Sequence, residues 1–247
     1  MTIANNYYSG QGSLYLATRS VGGVPQGFLR IGNVPELAID IATTVFEHKE
    51  SESGSRGIDL TINKENKGTF SFKMESLSID NLAMGLYGTK TVVAAGSVVD
   101  EPQKLYLEKN TPLNHPDASA LVLKVGVTTK TLGVDYTVDL KNGTVAGVTG
   151  GSISDGAAVL ISYSWAAATK LDVFTQNAPE RWLRFNGLNT VDGTKVMIDI
   201  FKAKFDPLTG YGLINEDLGS ASMKGSILAD TLRVTGSKFF RQWNLAA

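Results

Sequence analysis

Apolar and polar residues alternate with a period of two along much of the chain, the spacing of strands that bury one face and wet the other. From Leu37 the apolar positions are Leu37, Ile39, Ile41 and Val45, opposed by Glu36, Asp40 and Thr44. After a charged segment they become Ile58, Leu60 and Ile62, opposed by Asp59, Thr61 and Asn63. The two runs predict a β-hairpin with Leu37, Ile39, Ile41, Ile58, Leu60 and Ile62 on the core side. Its connector spans Glu47, His48, Lys49, Glu50, Ser51, Glu52, Ser53, Gly54, Ser55, Arg56 and Gly57. Phe70, Phe72 and Met74, opposed by Ser71, Lys73 and Glu75, predict a further strand. Upstream, Leu14 and Leu16 begin a short strand behind Gly10 and Gly12, which read as a turn.

The period changes to that of a helix over residues 78–87, where Ile79, Leu82, Ala83 and Leu86 recur at helical spacing. Ser78 or Asp80 can cap its start, and Gly88 stands where a C′ glycine belongs. So short a helix needs tertiary packing to persist, so it is expected to lie against the sheet.

Around residue 91 the composition becomes turn-rich, with Pro102, Pro112 and Pro116. Compact β segments follow, and Asn142-Gly143 between alternating runs predicts a tight type I′ hairpin. Residues 98–167 therefore read as a small β module inserted into a discontinuous main domain of residues 1–97 and 168–247. Longer strands resume over residues 171–174, 182–189, 196–205 and 221–228, with turns expected at Asn186-Gly187 and Asp192-Gly193. The aromatic C-terminal stretch is expected to dock on the core or on a neighbour. The fold class is mainly β with one flanking helix.

Charged residues make up 19% of the chain, below the usual ~25%, while 43% are hydrophobic; that balance suits a β-rich protein with much covered surface. A net charge of −1 provides no excess for holding a nucleic acid or an anionic membrane. Without cysteine, disulfides, thiolate metal sites and thiol nucleophiles are excluded. Neither a signal peptide nor a membrane-length apolar run is visible, so synthesis in a cytoplasm is expected.

Candidate chemistry is sparse. His48 falls in the charged tip and His115 in a Pro-flanked loop, and neither context offers the third group that fixes a catalytic base. Glu47, Glu50 and Glu52 lack the ligand spacing of a calcium loop. No metal, cofactor or enzymatic activity is expected. Trp165, Trp182 and Trp243 could form a sugar-stacking platform, although scattered tryptophans more often anchor cores and interfaces. The 11-residue tip (47–57) exceeds the two to five residues of ordinary hairpin loops, and long connections of this kind tend to be functional.

The segment VPELAIDIATTVFEHKESESGSRGIDLTINKENKGTFSFKMESLSIDNLAMGLYG, residues 34–88, resembles the core of tail tube proteins (major tail proteins) of long-tailed bacteriophages. Its marks are Gly10-x-Gly12, the hairpin with its long tip, and the helix within SLSIDNLAMGLYG. The resemblance covers roughly residues 10–88 and residue 171 onward, with the β module between. It implies a tail-tube-type β-sandwich or barrel with a flanking helix, six subunits per ring, and rings stacked through the hairpin tip. It further implies a virion tail location, assembly with copies of itself, and contact with tail tip or baseplate, terminator and tape-measure proteins. DNA would pass through the channel without specific binding. The polar positions Glu36, Asp40, Thr44, Asp59, Thr61 and Asn63 are then expected to face the lumen, and the inserted module the outside. The alternatives are a lectin-like or adhesin β-sandwich and a β-sandwich hydrolase.

Overall fold

The computed structural model of the chain describes residues 7–245. These form two compact units: one contains the chain up to Lys90 and again from Leu171, the other is Thr91–Lys170. The divisions lie outside the expected 98 and 167 because the first long strand of the inserted unit starts at Gly96, paired with Trp165.

In chain order the first unit contains β1 (Gly10–Thr18), β2 (Leu29–Arg30), β3 (Glu36–Lys49), β4 (Ile58–Met74) and α1 (Ile79–Gly85). β5 (Thr89–Val93) opens the inserted part, which continues with β6 (Gly96–Leu105), β7 (Thr111–Pro112), β8 (Ala118–Val125) and β9 (Thr128–Thr129). There follow β10 (Tyr136–Asp139), β11 (Thr144–Gly147), β12 (Ala157–Trp165) and β13 (Ala168–Asp172). β14 (Glu180–Asn189), β15 (Lys195–Phe205), β16 (Ala221–Ile227) and β17 (Phe240–Leu245) complete the first unit. The protein is thus mainly β with one helix, and β5 pairs with β13.

A single antiparallel sheet dominates the first unit, in the order β2-β1-β14-β15-β16-β4-β3. β15 is shared along one edge: its first half pairs with β17 and its end with β16. Leu14 and Leu16 of β1 join the same buried cluster as Phe70, Phe72 and Met74 of β4, with Leu183, Ile200, Phe205 and Met223 between them. Strands near opposite ends of the order therefore share one core, so the sheet curls around it.

Close strand approach depends on glycine at a few places. Gly12 pairs with Gly187, and a Cβ at either would collide with the Phe185 ring. Gly225 is covered in the same way by Phe70. Gly10 and Gly12 thus belong to β1 rather than to a turn. Asn186-Gly187, expected as a turn, lies within β14, because an aromatic ring on the sheet face takes the space a side chain would fill. Asp192-Gly193 does make its turn, with Gly193 at φ +76.

Ser78 caps α1 by accepting from the Asn81 backbone N–H. The helix is shorter than expected, and the left-handed residue after its C-cap is Tyr87 (φ +51), not Gly88. The Gly88 N–H then donates to the Ala83 carbonyl at 2.7 Å, closing a Schellman motif. Tyr87 is held in this unfavourable conformation by its hydroxyl, which donates to the Phe205 carbonyl at 2.6 Å. Buried Asn81 ties the helix to the sheet by donating to the carbonyls of Ile31 and Ser76.

The inserted unit packs sheet β10-β11-β7 with sheet β6-β12-β8-β9 around Leu105, Leu123, Val145 and Ile161. β10 and β11 are joined by four residues, not by a two-residue turn. Of Asn142 and Gly143 only the glycine has positive φ, and Asp139 accepts from the Asn142 backbone instead.

Candidate functional site

The hairpin of β3 and β4 leaves the curled sheet. β4 pairs with β16 only from Met74 to Gly68, so its residues 58–67 pair with β3 alone. At 3.3 Å per residue this two-stranded arm reaches about 30 Å beyond the last shared pair. β4 is continuous, so the two strands expected at residues 58–63 and 70–74 are one. Glu47, His48 and Lys49, expected in the tip, belong to β3 and pair with Thr61, Leu60 and Ile58, which shortens the connector to residues 50–57.

Two irregularities set the faces of the arm. Register shifts between Thr44 and Val45, where Lys64 is the extra residue on β4, and again between His48 and Lys49, where Asp59 is extra. Each one-residue bulge reverses which face the following β4 residues occupy. Leu37 and Ile39 pair with Phe72 and Phe70 and pack against the core. Beyond them the same face carries Ile41, Val45 and Ile58, together with Thr61 and Asn63. The opposite face carries Glu36, Asp40 and Thr44, then Phe46, Leu60 and Ile62. Contacts agree with this placement: Lys64 Nζ lies 4.7 Å from the Phe46 ring centre, and His48 Nδ1 lies 2.6 Å from Asp59 Oδ1.

The polar set expected on one face is therefore divided. Glu36, Asp40, Thr44 and Asp59 share a face, whereas Thr61 and Asn63 are on the other. Leu60 and Ile62, expected on the core side, are on the face away from it. Nor do the distal apolar residues reach the core: Ile41 is 65% exposed, Ile58 54%, Leu60 51% and Ile62 48%. Val45 and Phe46 are exposed as well. The arm thus presents apolar side chains to solvent on both faces, and as the end of the sheet β3 leaves an unpaired backbone edge.

The tip is ordered from within by Glu50. Its backbone N–H donates to the Gly57 carbonyl at 2.8 Å. Its carboxylate accepts from the Ser53 hydroxyl, from the backbone N–H groups of Ser53 and Glu52, and from the Ser55 hydroxyl. Bonds from Ser53, chiefly its hydroxyl, lower the Glu50 pKa from 4.5 to about 2. Gly54 (φ +80) and Arg56 (φ +51) complete the reversal in left-handed conformations. The carboxylate cage is what sequence reading missed, although a glutamate followed by serines three and five residues on was its visible signal.

Elsewhere, the opposite sheet face bears a second organised cluster. Fully buried Asp199 accepts from Arg184 Nε (2.6 Å) and Nη2 (3.0 Å), from Trp182 Nε1 (3.2 Å) and from Arg241 Nη2 (3.4 Å). Burial pushes the Asp199 pKa up, but these bonds, led by Arg184, outweigh it and leave the pKa lowered. Arg233 stacks on Phe201 at 3.6 Å. With Trp182 buried in this cluster, it cannot serve as an exposed sugar platform. His115, in its Pro-flanked loop, is half-buried and stacks on Trp165 at 3.8 Å. Among the described residues there is no group of three or more His, Asp or Glu positioned to hold a metal ion. No described helix is long and apolar enough to cross a membrane.

A mainly β protein with a curled sheet, an inserted β unit and a projecting two-stranded arm is the class these features define. The chain matches over residues 7–243 the family described as "Protein of unknown function UCP028589", and it belongs to that family. No curated protein matches it.

Proposed function

We propose that this protein is a structural subunit that assembles with copies of itself into rings and stacked tubes, as the tail tube of a long-tailed phage. The supporting observation is the arm: six large apolar residues exposed over both faces of a two-stranded ribbon that the subunit's own core does not cover. An isolated two-stranded hairpin is marginally stable in water, and a long exposed edge is an invitation to pair. Packing against neighbouring subunits relieves both. The resemblance of residues 34–88 to tail tube proteins supplies the particular assembly, with DNA as cargo and the tail tip, terminator and tape-measure proteins as partners at the ends and inside.

In this reading Glu36, Asp40 and Thr44 line the channel, Thr61 and Asn63 do not, and the inserted unit decorates the exterior. The channel face carries both signs with an excess of acid: Glu36 pairs with Lys73, and Asp40, Asp59 and Glu65 accompany Lys67. Such a mixed, acid-leaning face suits passage of a polyanion, since rows of cations would add salt-dependent retention. The test is electron microscopy of the purified protein beside a variant whose residues 50–57 are replaced by Asn-Gly. Tubes from the wild type and no long tubes from the variant support the proposal; particles of single-subunit size from both refute it.

A further inference from the structure

A groove of about 710 Å³ runs beside α1 in the first unit, with Leu16, Leu29, Ile31 and Met84 among its apolar lining. Two cations also line it. Lys90 is paired with Asp80 at 2.9 and 3.1 Å. Among the described residues the Arg181 guanidinium has no carboxylate partner: its one hydrogen bond there is a long 3.5 Å contact to the Glu180 carbonyl, and Glu180's own carboxylate faces Arg19 and Lys202. Burial lowers the Arg181 pKa, as expected of a guanidinium withdrawn from water without a counter-charge.

The complementary surface lies on the same unit. Residues 206–220, between β15 and β16, contain Asp206, Glu216 and Asp217 and no basic residue. Within them Leu213 is 77% exposed, Ile214 97% and Leu218 84%, and neither Glu216 nor Asp217 pairs with a cation among the described residues. An acidic, apolar segment and an apolar groove holding an uncompensated arginine match in both polarity and charge.

The segment does not lie in its own groove: Leu213, Ile214 and Leu218 stand exposed, and among the described residues no ion pair joins Arg181 to Glu216 or Asp217. It leaves β15 beside the helix, where the Leu208 backbone N–H donates to the Gly85 carbonyl.

We infer that the groove beside α1 receives residues 213–218 of a second copy, with Arg181 meeting the Glu216 or Asp217 carboxylate. The inference rests on the self-association proposed above and assigns it a contact separate from the arm. Groove and segment are different surfaces, so the contact is heterologous and joins subunits head to tail, the kind of contact that closes rings. Covering Arg181 without a carboxylate would leave a buried unpaired charge, so the pairing also selects the register.

The experiment compares four proteins by sedimentation and light scattering: wild type, Arg181→Glu, the pair Glu216→Lys with Asp217→Lys, and all three substitutions combined. Circular dichroism checks the fold of each; the segment substitutions are at exposed loop positions and keep the test valid if Arg181→Glu misfolds. Each reversal is expected to raise the concentration needed for assembly about thirtyfold, the equivalent of about 2 kcal/mol, and the combined swap to restore most of it. Normal assembly by the segment variant, with assembly still lost on trimming the arm, would overturn the inference and leave the arm's role standing. A wild type that stays monomeric would overturn both. Reversals that alter the melting temperature of dilute monomer but not assembly would mean that the segment fills its own groove. Stabilisation by inorganic phosphate that depends on Arg181, without any effect of the reversals on assembly, would mean a small-anion site; either result overturns the inference.

Discussion

Two carboxylates carry much of the local order, and they do so by different means. Glu50 lies partly covered at the surface and is held by hydrogen bonds, which place its pKa at about 2 against an ordinary value of 4.5. A carboxyl whose folded pKa is depressed contributes order that is complete above its unfolded value and is lost as pH falls through the folded one. The tip is therefore expected to keep its order at pH 5, lose it progressively below pH 4.5, and be released below about pH 2. Amide exchange at Glu52 and Ser53 would follow this, and Glu50→Gln should accelerate exchange there at neutral pH while leaving β14 unchanged. Asp199, by contrast, is buried beneath Arg184 and Arg241. Asp199→Ala would leave two arginines facing each other beside Trp182 without their counter-charge. Loss of one partner of a buried pair typically costs ~3–5 kcal/mol. Urea unfolding of Asp199→Ala should show a loss of that size, and an unchanged midpoint would refute the assignment.

At the scale of the element, the arm separates stability from assembly. Its distal apolar residues contribute nothing to the core, so Leu60→Ser and Ile62→Ser should stay within about 0.5 kcal/mol of the wild type, as ordinary surface substitutions do. Both should nonetheless reduce self-association. Cysteine scanning tests the faces: in assembled protein Asp40→Cys is expected to be shielded from a bulky maleimide, and Thr61→Cys to follow a different pattern because it projects from the other face. Identical labelling of the two would contradict the bulge-defined geometry. Strand content was plainly legible from alternation, and β1, β14, β15 and β16 stand close to their expected positions. Side-chain facing in the arm was not, because both bulges arise from pairing between strands. Nothing in the local sequence around Lys64 or Asp59 marks a residue without a cross-strand partner. Asn186-Gly187 failed for a related reason: turn chemistry was present, but cross-strand packing of Phe185 over Gly12 decided the conformation. Arg181 escaped attention because only the tertiary fold withdraws it from water.

The molecule as a whole combines two cores that need not depend on each other. Leu105, Leu123, Val145 and Ile161 close the inserted unit, and the first unit's cluster contains none of its residues. Thr91–Lys170 expressed alone should give a dispersed NMR spectrum, and the remainder joined by a Gly-Ser linker should still unfold cooperatively. A collapsed spectrum from the excised unit would show that its fold borrows from the rest. A curled antiparallel sheet, little net charge and an uncovered arm are intelligible together if the subunit is finished only in company. The most direct measurement is negative-stain microscopy of the purified wild-type chain, concentrated at neutral pH across several salt conditions and without nucleic acid. Rings or hollow tubes are expected under at least one of those conditions. Uniform particles the size of one 26.4 kDa subunit under every condition would contradict the proposed self-assembly.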